Sequence, residues 1–298
     1  MQINSVVYSP PTKFSGKNQN FPLFCDANKG ERRSTVEMTP AQSPDRRRRF
    51  AVLKTGHATE YTERTYGGYG SMLERLLRDG DNEEWDIFSV IDGDFSFQEK
   101  GDDHLIQSYS GFVITGSSAD AHAEDVPWIL RLCELLRSLY HNKKKLLGIC
   151  FGHQILARAL GGETGRAAVG WELGVKSLQI DTEAVSKLYG VQLASPLNAI
   201  ESHRDQVSRA PPGSVILASS AKTNVEMFSV GDHVLGIQCH PEFSKDVMLD
   251  IIQQRLATNS ISVEVANEAI QSFEQDELGQ AELKVLCKAF LKENLRDS

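Results

Sequence analysis

The segment Gly148-Ile149-Cys150-Phe151-Gly152 holds the side chain best suited to covalent chemistry. A thiol stands between two glycines, each two positions away. The apolar run Leu146-Leu147-Gly148-Ile149 before it reads as a buried strand, and Ile155, Leu156 and Leu160 after it mark a helix starting near Gly152. A nucleophile at such a junction sits on a tight, strained turn, where a Cβ at either flanking position would collide. The turn lifts the sulfur over the helix N-terminus, where unpaired N–H groups and the helix dipole favour thiolate over thiol. The bland alternative is a packing cysteine, and the glycines and the junction weigh against it.

A thiol nucleophile needs a base, and the base needs an acceptor that orients it. Ile237-Gln238-Cys239-His240-Pro241-Glu242-Phe243 offers both. His240 ends an apolar strand, and Glu242 follows across a proline that stiffens the turn. From there Glu242 can reach the far ring nitrogen of His240, fix its tautomer and stabilise the imidazolium. Cys239 is expected on the other face of the strand, in the core.

Alternating strands and helices must position these groups. Phe50–Lys54, Trp85–Val90, Gly111–Thr115 and 146–149 read as buried strands. Gly67, Gly68 and Gly70 suggest a loop before a helix marked by Met72, Leu73, Leu76 and Leu77. A second helix follows Pro127 through Trp128, Ile129, Leu132, Leu135 and Leu136. Beyond residue 160 the pattern is richer in strands: 175–180, 215–218, 225–228 and 234–238. Two to three helices close the chain between about 246 and 295. The first half predicts parallel pairing through crossovers, the second a mixed or antiparallel extension. The expectation is one α/β domain over 50–258, a doubly wound, mostly parallel sheet flanked by helices, with a C-terminal helical extension over 259–298.

The bulk numbers exclude some functions. The 298 residues carry a net charge of −8, which argues against a nucleic-acid binder. No apolar run approaches the roughly 18 residues of a membrane span. Five cysteines without a CxxC pair suggest free thiols in a reducing compartment rather than a disulfide framework or a zinc site. No metal and no cofactor is expected; His153 and His203 read as hydrogen-bonding residues. Residues 1–49 hold nine Lys/Arg against four Asp/Glu, leaving −13 for the rest. That stretch reads as a disordered basic tail, Arg46–Arg49 as a solvated charge run, and an organelle (plastid) transit peptide as the alternative.

Gly148-Ile149-Cys150-Phe151-Gly152-His153-Gln154, followed about ninety residues later by Gln238-Cys239-His240-Pro241-Glu242-Phe243, resembles the class I glutamine amidotransferases over most of residues 50–245. The resemblance implies a flavodoxin-like fold and a Cys-His-Glu triad: Cys150 attacks, His240 serves as base and acid, and Glu242 orients His240. Val113–Ser118 is similar to the family's oxyanion strand and loop, so the backbone N–H groups of Gly116 or Ser117 and of Phe151 would bind the tetrahedral oxygen. Gln154 and the segment 201–207, with Ser202, His203 and Asp205, match the positions that hold the glutamyl α-amino and α-carboxyl groups. Arg64–Tyr69, Trp85-Asp86 with 90–93, and Thr223–Phe228 look like the plant γ-glutamyl peptidases. That implies a cytosolic hydrolase that cuts the γ-glutamyl amide of glutathione conjugates through a γ-glutamyl thioester, with a small molecule as its partner. Two other readings stand beside it: a glutaminase subunit feeding ammonia to a separate synthetase, and a catalytically silent regulatory module.

Overall fold

The computed structural model describes residues 47–98, 103–274 and 277–292, with residues 103 and 104 described by their backbone alone. The tail expected at 1–49 lies outside the described residues as far as residue 46. In chain order the elements begin with β1 (Arg48–Lys54), α1 (Glu60–Tyr66), α2 (Gly68–Leu77), β2 (Glu83–Ser89), α3 (Asp103–Ser108) and β3 (Tyr109–Ile114). Next come α4 (Pro127–His141), β4 (Lys145–Ile149), α5 (Phe151–Ala159), β5 (Glu163–Arg166), β6 (Glu172–Ile180) and α6 (Thr182–Tyr189). The strands β7 (Leu197–His203), β8 (Asp205–Arg209), β9 (Ser214–Ser219), β10 (Met227–Val230) and β11 (Val234–Ile237) precede α7 (Lys245–Ala257), α8 (Val263–Gln271) and α9 (Gln280–Lys292).

Nine strands form one sheet in the order β2-β1-β3-β4-β11-β10-β9-β6-β7. The first five run parallel, and the remaining pairs are antiparallel. A two-stranded ribbon, β5-β8, stands apart. This is the doubly wound, mostly parallel α/β architecture read from the sequence. Side-chain alternation explains the two layers, because successive residues of a strand point to opposite faces. Phe50 and Val52 of β1 enter one core cluster with Leu73 and Leu77 of α2 and Leu286 and Phe290 of α9. Ala51 and Leu53 enter the other, with Ile129, Leu132 and Leu136 of α4 and Ile155 and Leu156 of α5. A third cluster joins Val247, Met248 and Ile252 of α7 to Leu173 and Ile200.

Several local readings change. The first strand starts at Arg48, not Phe50, and its arginines are paired rather than freely solvated. Arg48 meets Glu83 at 2.9 Å and Arg49 meets Asp86 at 2.7 Å, both across to β2. Gly68 and Gly70 lie inside α2 instead of a loop. Gly70 is there for closeness: a Cβ would stand 2.9 Å from Cγ2 of Ile87 on β2. The strands β5, β7 and β8 have no counterpart among the expected ones.

Candidate active site

Three neighbouring parallel strands in the middle of the sheet, β3, β4 and β11, deliver the key groups. Ile114 of β3 aligns with Gly148, and Ile149 of β4 aligns with Ile237. The chain segments after them, carrying Gly116, Cys150 and His240, therefore rise together at the carboxyl ends of the strands, where open α/β sheets bind their ligands.

Cys150 has φ 54° and ψ −104°, a conformation that an L-residue adopts only under constraint. Its N–H donates to the Ile237 carbonyl at 2.8 Å, and its carbonyl accepts from Gln154 N–H at 3.1 Å. These bonds and the packed neighbours hold the turn. Both glycines of the motif are obligatory here. A Cβ on Gly148 would lie 2.4 Å from the backbone of Gly152, and one on Gly152 would lie 2.3 Å from the Ile114 carbonyl oxygen. Phe151 opens α5, so its N–H has no partner within the helix. The N–H groups of Gly116 and Ser117 likewise have no main-chain acceptor among the described residues. These are the donors expected to face an oxyanion.

His240 and Glu242 are joined by a 2.8 Å contact between Nδ1 and Oε1, in a buried setting. The imidazole is clamped between two flat surfaces. Phe243 stacks on it with centroids 4.0 Å apart and rings 5° from parallel. On the Gly116 side a Cβ would come within 3.0 Å of His240 Cε1 and 3.6 Å of Cys150 Cβ, so glycine lets nucleophile and imidazole share the space. Burial disfavours the imidazolium, but the Glu242 carboxylate and the Cys150 sulfur outweigh it and raise the His240 pKa to about 10. Gln280, at the start of α9, donates to the carbonyls of His240 and Phe243 at 2.9 and 3.0 Å and pins this loop. Burial pushes the Cys133, Cys239 and Cys287 thiols up, toward the neutral form. Cys239, just past the end of β11, is fully buried in the core, as expected.

A cavity of about 580 Å³ opens over these groups, and Gln154, Ser202, His203 and Asp205 all border it. Gln154 Nε2 donates to the Asp205 carbonyl at 2.8 Å and to Gln238 Oε1 at 3.0 Å. The Asp205 carboxylate meets Arg166 at 2.7 Å, and Arg166 also meets Asp120 at 3.0 Å. Desolvation raises the Asp205 pKa, against the pull of Arg166. The His203 ring is turned inward. Its Nδ1 lies 2.9 Å from the Asp205 carbonyl, and its Nε2 faces Glu201 at 3.3 Å and Glu172 at 3.7 Å. Glu201 and Glu226, buried in the same knot, have carboxyl pKa values raised well above the usual range, chiefly by desolvation. Two sets of side chains bring metal-ligating atoms within 4.8 Å: Asp120, His122 and Asp205, and Glu172, His203 and Glu226. In the first, Arg166 already supplies the positive charge. His153 lies buried with Nε2 3.0 Å from the Val225 carbonyl, and burial lowers its pKa to about 3, as befits a neutral packing histidine.

Trp171, Gln254, Arg255 and Thr258 also line the cavity, with the already noted Tyr69, and were not expected from the sequence. Only Tyr69 fell within a recognisable motif. Gln254, Arg255 and Thr258 come from the end of α7 and Trp171 from the segment before β6, and nothing in their local pattern marks them.

Comparison with known proteins gives the family and supports the fold. Residues 88–258 match the family described as Glutamine amidotransferase class-I. The chain is 40% identical over 247 residues to γ-glutamyl peptidase 5 of Arabidopsis thaliana, covering 82% of this chain and 96% of the relative. It is 39% identical to γ-glutamyl peptidase 3 of the same plant, covering 83% and 98%. A solved glutamine amidotransferase from Thermotoga maritima superposes with a TM-score of 0.64 at 21% identity, over 84% of this chain and 99% of that one, which speaks for the fold. The chain belongs to the class I glutamine amidotransferase family. It is a hydrolase, and within the family its likeness to the γ-glutamyl peptidases runs over nearly their whole length.

Proposed function

We propose that the chain hydrolyses the γ-glutamyl amide bond of small γ-glutamyl peptides, glutathione and its S-conjugates above all. The observation that carries this reading is the buried His240–Glu242 pair beside a cysteine on a strained elbow, at the floor of a 580 Å³ cavity. The Cys150 thiolate attacks the γ-carbonyl carbon. The developing oxyanion is received by the N–H groups of Phe151 and of Gly116 or Ser117; one such donor is worth about 3 kcal/mol in comparable hydrolases. The His240 imidazolium passes its proton to the leaving nitrogen, the C–N bond breaks, and a γ-glutamyl thioester remains. His240, now neutral, takes a proton from water, the hydroxide attacks the thioester, and glutamate leaves as the thiolate returns. Glu242 holds the ring and stabilises its charged form. Gln154, Ser202 and the Asp205 carboxylate recognise the charged end of the glutamyl group, while His203 supports that segment from behind. No cofactor enters these steps.

A peptidase works alone, whereas a glutaminase subunit depends on a synthetase to accept its ammonia. The roomy cavity favours a leaving group larger than ammonia. Cys133, Cys150, Cys239 and Cys287 are free thiols, which favours a reducing compartment such as the cytosol. No helix among the described residues is long and apolar enough to cross a membrane. The test is kcat/KM of the purified chain, without added partner, on glutamine, glutathione and an S-substituted glutathione. Both peptides are expected to exceed glutamine. If glutamine is the best substrate, or if all three need an added synthetase, the amidotransferase reading replaces this one.

A further inference from the structure

Arg255 is a charged residue of the cavity that the triad leaves unused. It lies in the last turn of α7, with its guanidinium over the Trp171 ring, 4.0 Å from the centroid. Trp171 is itself held, its indole N–H donating to the Ser260 carbonyl at 3.0 Å. Nη1 of Arg255 is buried without a hydrogen-bond partner, and no carboxylate among the described residues forms a salt bridge with this guanidinium. Arg166, in the same cavity, is the contrast: it meets both Asp205 and Asp120. Desolvation lowers the Arg255 pKa to about 10, against the opposing pull of Cys150 and Tyr69. A guanidinium partly removed from water without an anion is costly, and its planar fork matches a carboxylate with two parallel hydrogen bonds. Its aromatic support fixes the plane of that fork in advance.

The partners already assigned tell which carboxylate it suits. Gln154, Ser202 and Asp205, on β7, β8 and α5, form the wall assigned to the glutamyl half. Arg255 lines the cavity with Thr258 and Ser260, from the end of α7 and the turn after it, and with Trp171, just before β6. The cavity has room for both halves of a peptide. We propose that Arg255, braced by Trp171, binds a carboxylate on the leaving half of the substrate, so that the enzyme selects γ-glutamyl amides whose leaving amine is an amino acid or peptide with a free C-terminus. This rests on the γ-glutamyl hydrolase reading above. It predicts discrimination against glutamine without any clash, since ammonia as leaving group leaves the guanidinium unpaired.

The experiment compares a γ-glutamyl peptide, glutathione, with its C-terminal amide, using the full chain and its Arg255→Met and Arg255→Lys variants. The wild type should prefer the free acid by at least about tenfold in kcat/KM, the size of one charge-assisted interaction. Arg255→Met should erase that preference by lowering kcat/KM for the acid about tenfold more than for the amide, and Arg255→Lys should restore part of it. Equal losses on the two substrates would overturn the proposal and move Arg255 to the thiolate or the glutamyl half. A wild type indifferent to amidation would overturn it as well. Calorimetric binding of the same two peptides to a Cys150→Ala variant separates this claim from the one beneath it. Preferential binding of the acid without wild-type hydrolysis keeps the carboxylate site and removes the reaction. Hydrolysis without preferential binding removes the carboxylate site and keeps the reaction.

Discussion

Cys150→Ala is expected to reduce kcat for γ-glutamyl hydrolysis by at least about 10⁴-fold, to the background left by binding and the oxyanion donors. The loss follows from the chemistry, because without the sulfur no thioester forms and His240 has no thiol to serve. The fold should persist. The elbow is held by the main-chain bonds of Cys150 to Ile237 and Gln154 and by the close approach of Gly148 and Gly152, none of which involves the sulfur. A melting temperature within about 4 °C of wild type, corresponding to ~1 kcal/mol, would confirm that activity and stability have been separated. Substantial turnover by this variant would place the nucleophile elsewhere.

Glu242→Gln should cost roughly 10² to 10⁴ in kcat and should also move the pH profile. In the wild type the imidazolium survives to about pH 10, because Glu242 and the sulfur more than compensate for burial. The alkaline limb of kcat, where the proton donor to the leaving amine is lost, should therefore lie near that value. Removing the carboxylate charge leaves burial less opposed, so the limb should move to lower pH. The sign for stability is the same. The folded-state pKa of His240 is raised above its unfolded value of about 6.5, so the stabilisation is fully present below that value and lost as pH rises through about 10. Glu242→Gln should shrink that dependence. A variant with wild-type kcat and an unmoved limb would show that another acceptor holds the ring.

The parts of this site legible in the sequence are those whose physics is local. Cys150 needs glycines two residues away on each side, and His240 needs its partner two residues on; both constraints are written in short, contiguous strings. The parallel strands were legible for a similar reason: β1, β3 and β4 are buried on both faces and read as unbroken apolar runs. β7 and β8 hid for the opposite reason. Their ends carry Glu201, His203 and Asp205, a charged string that reads as a turn until the buried knot of Glu172, Glu201 and Glu226 gives those polar groups a place. Arg48 and Arg49 read as solvated because their partners lie some thirty-five residues away on β2. Arg255 was invisible because its significance is an absence of partners, which the chain discloses only once Trp171 and the cavity are assembled around it.

On this mechanism Cys150 carries the γ-glutamyl group as a thioester. The direct measurement is rapid acid quenching of the enzyme during turnover of a γ-glutamyl peptide, followed by digestion and mass spectrometry of the fragment that contains Cys150. A mass increase of one glutamyl acyl group on Cys150, absent without substrate and removed by hydroxylamine, is the expected result. Turnover with Cys150 unmodified at every time point, or the glutamyl group found on another side chain, would contradict the account.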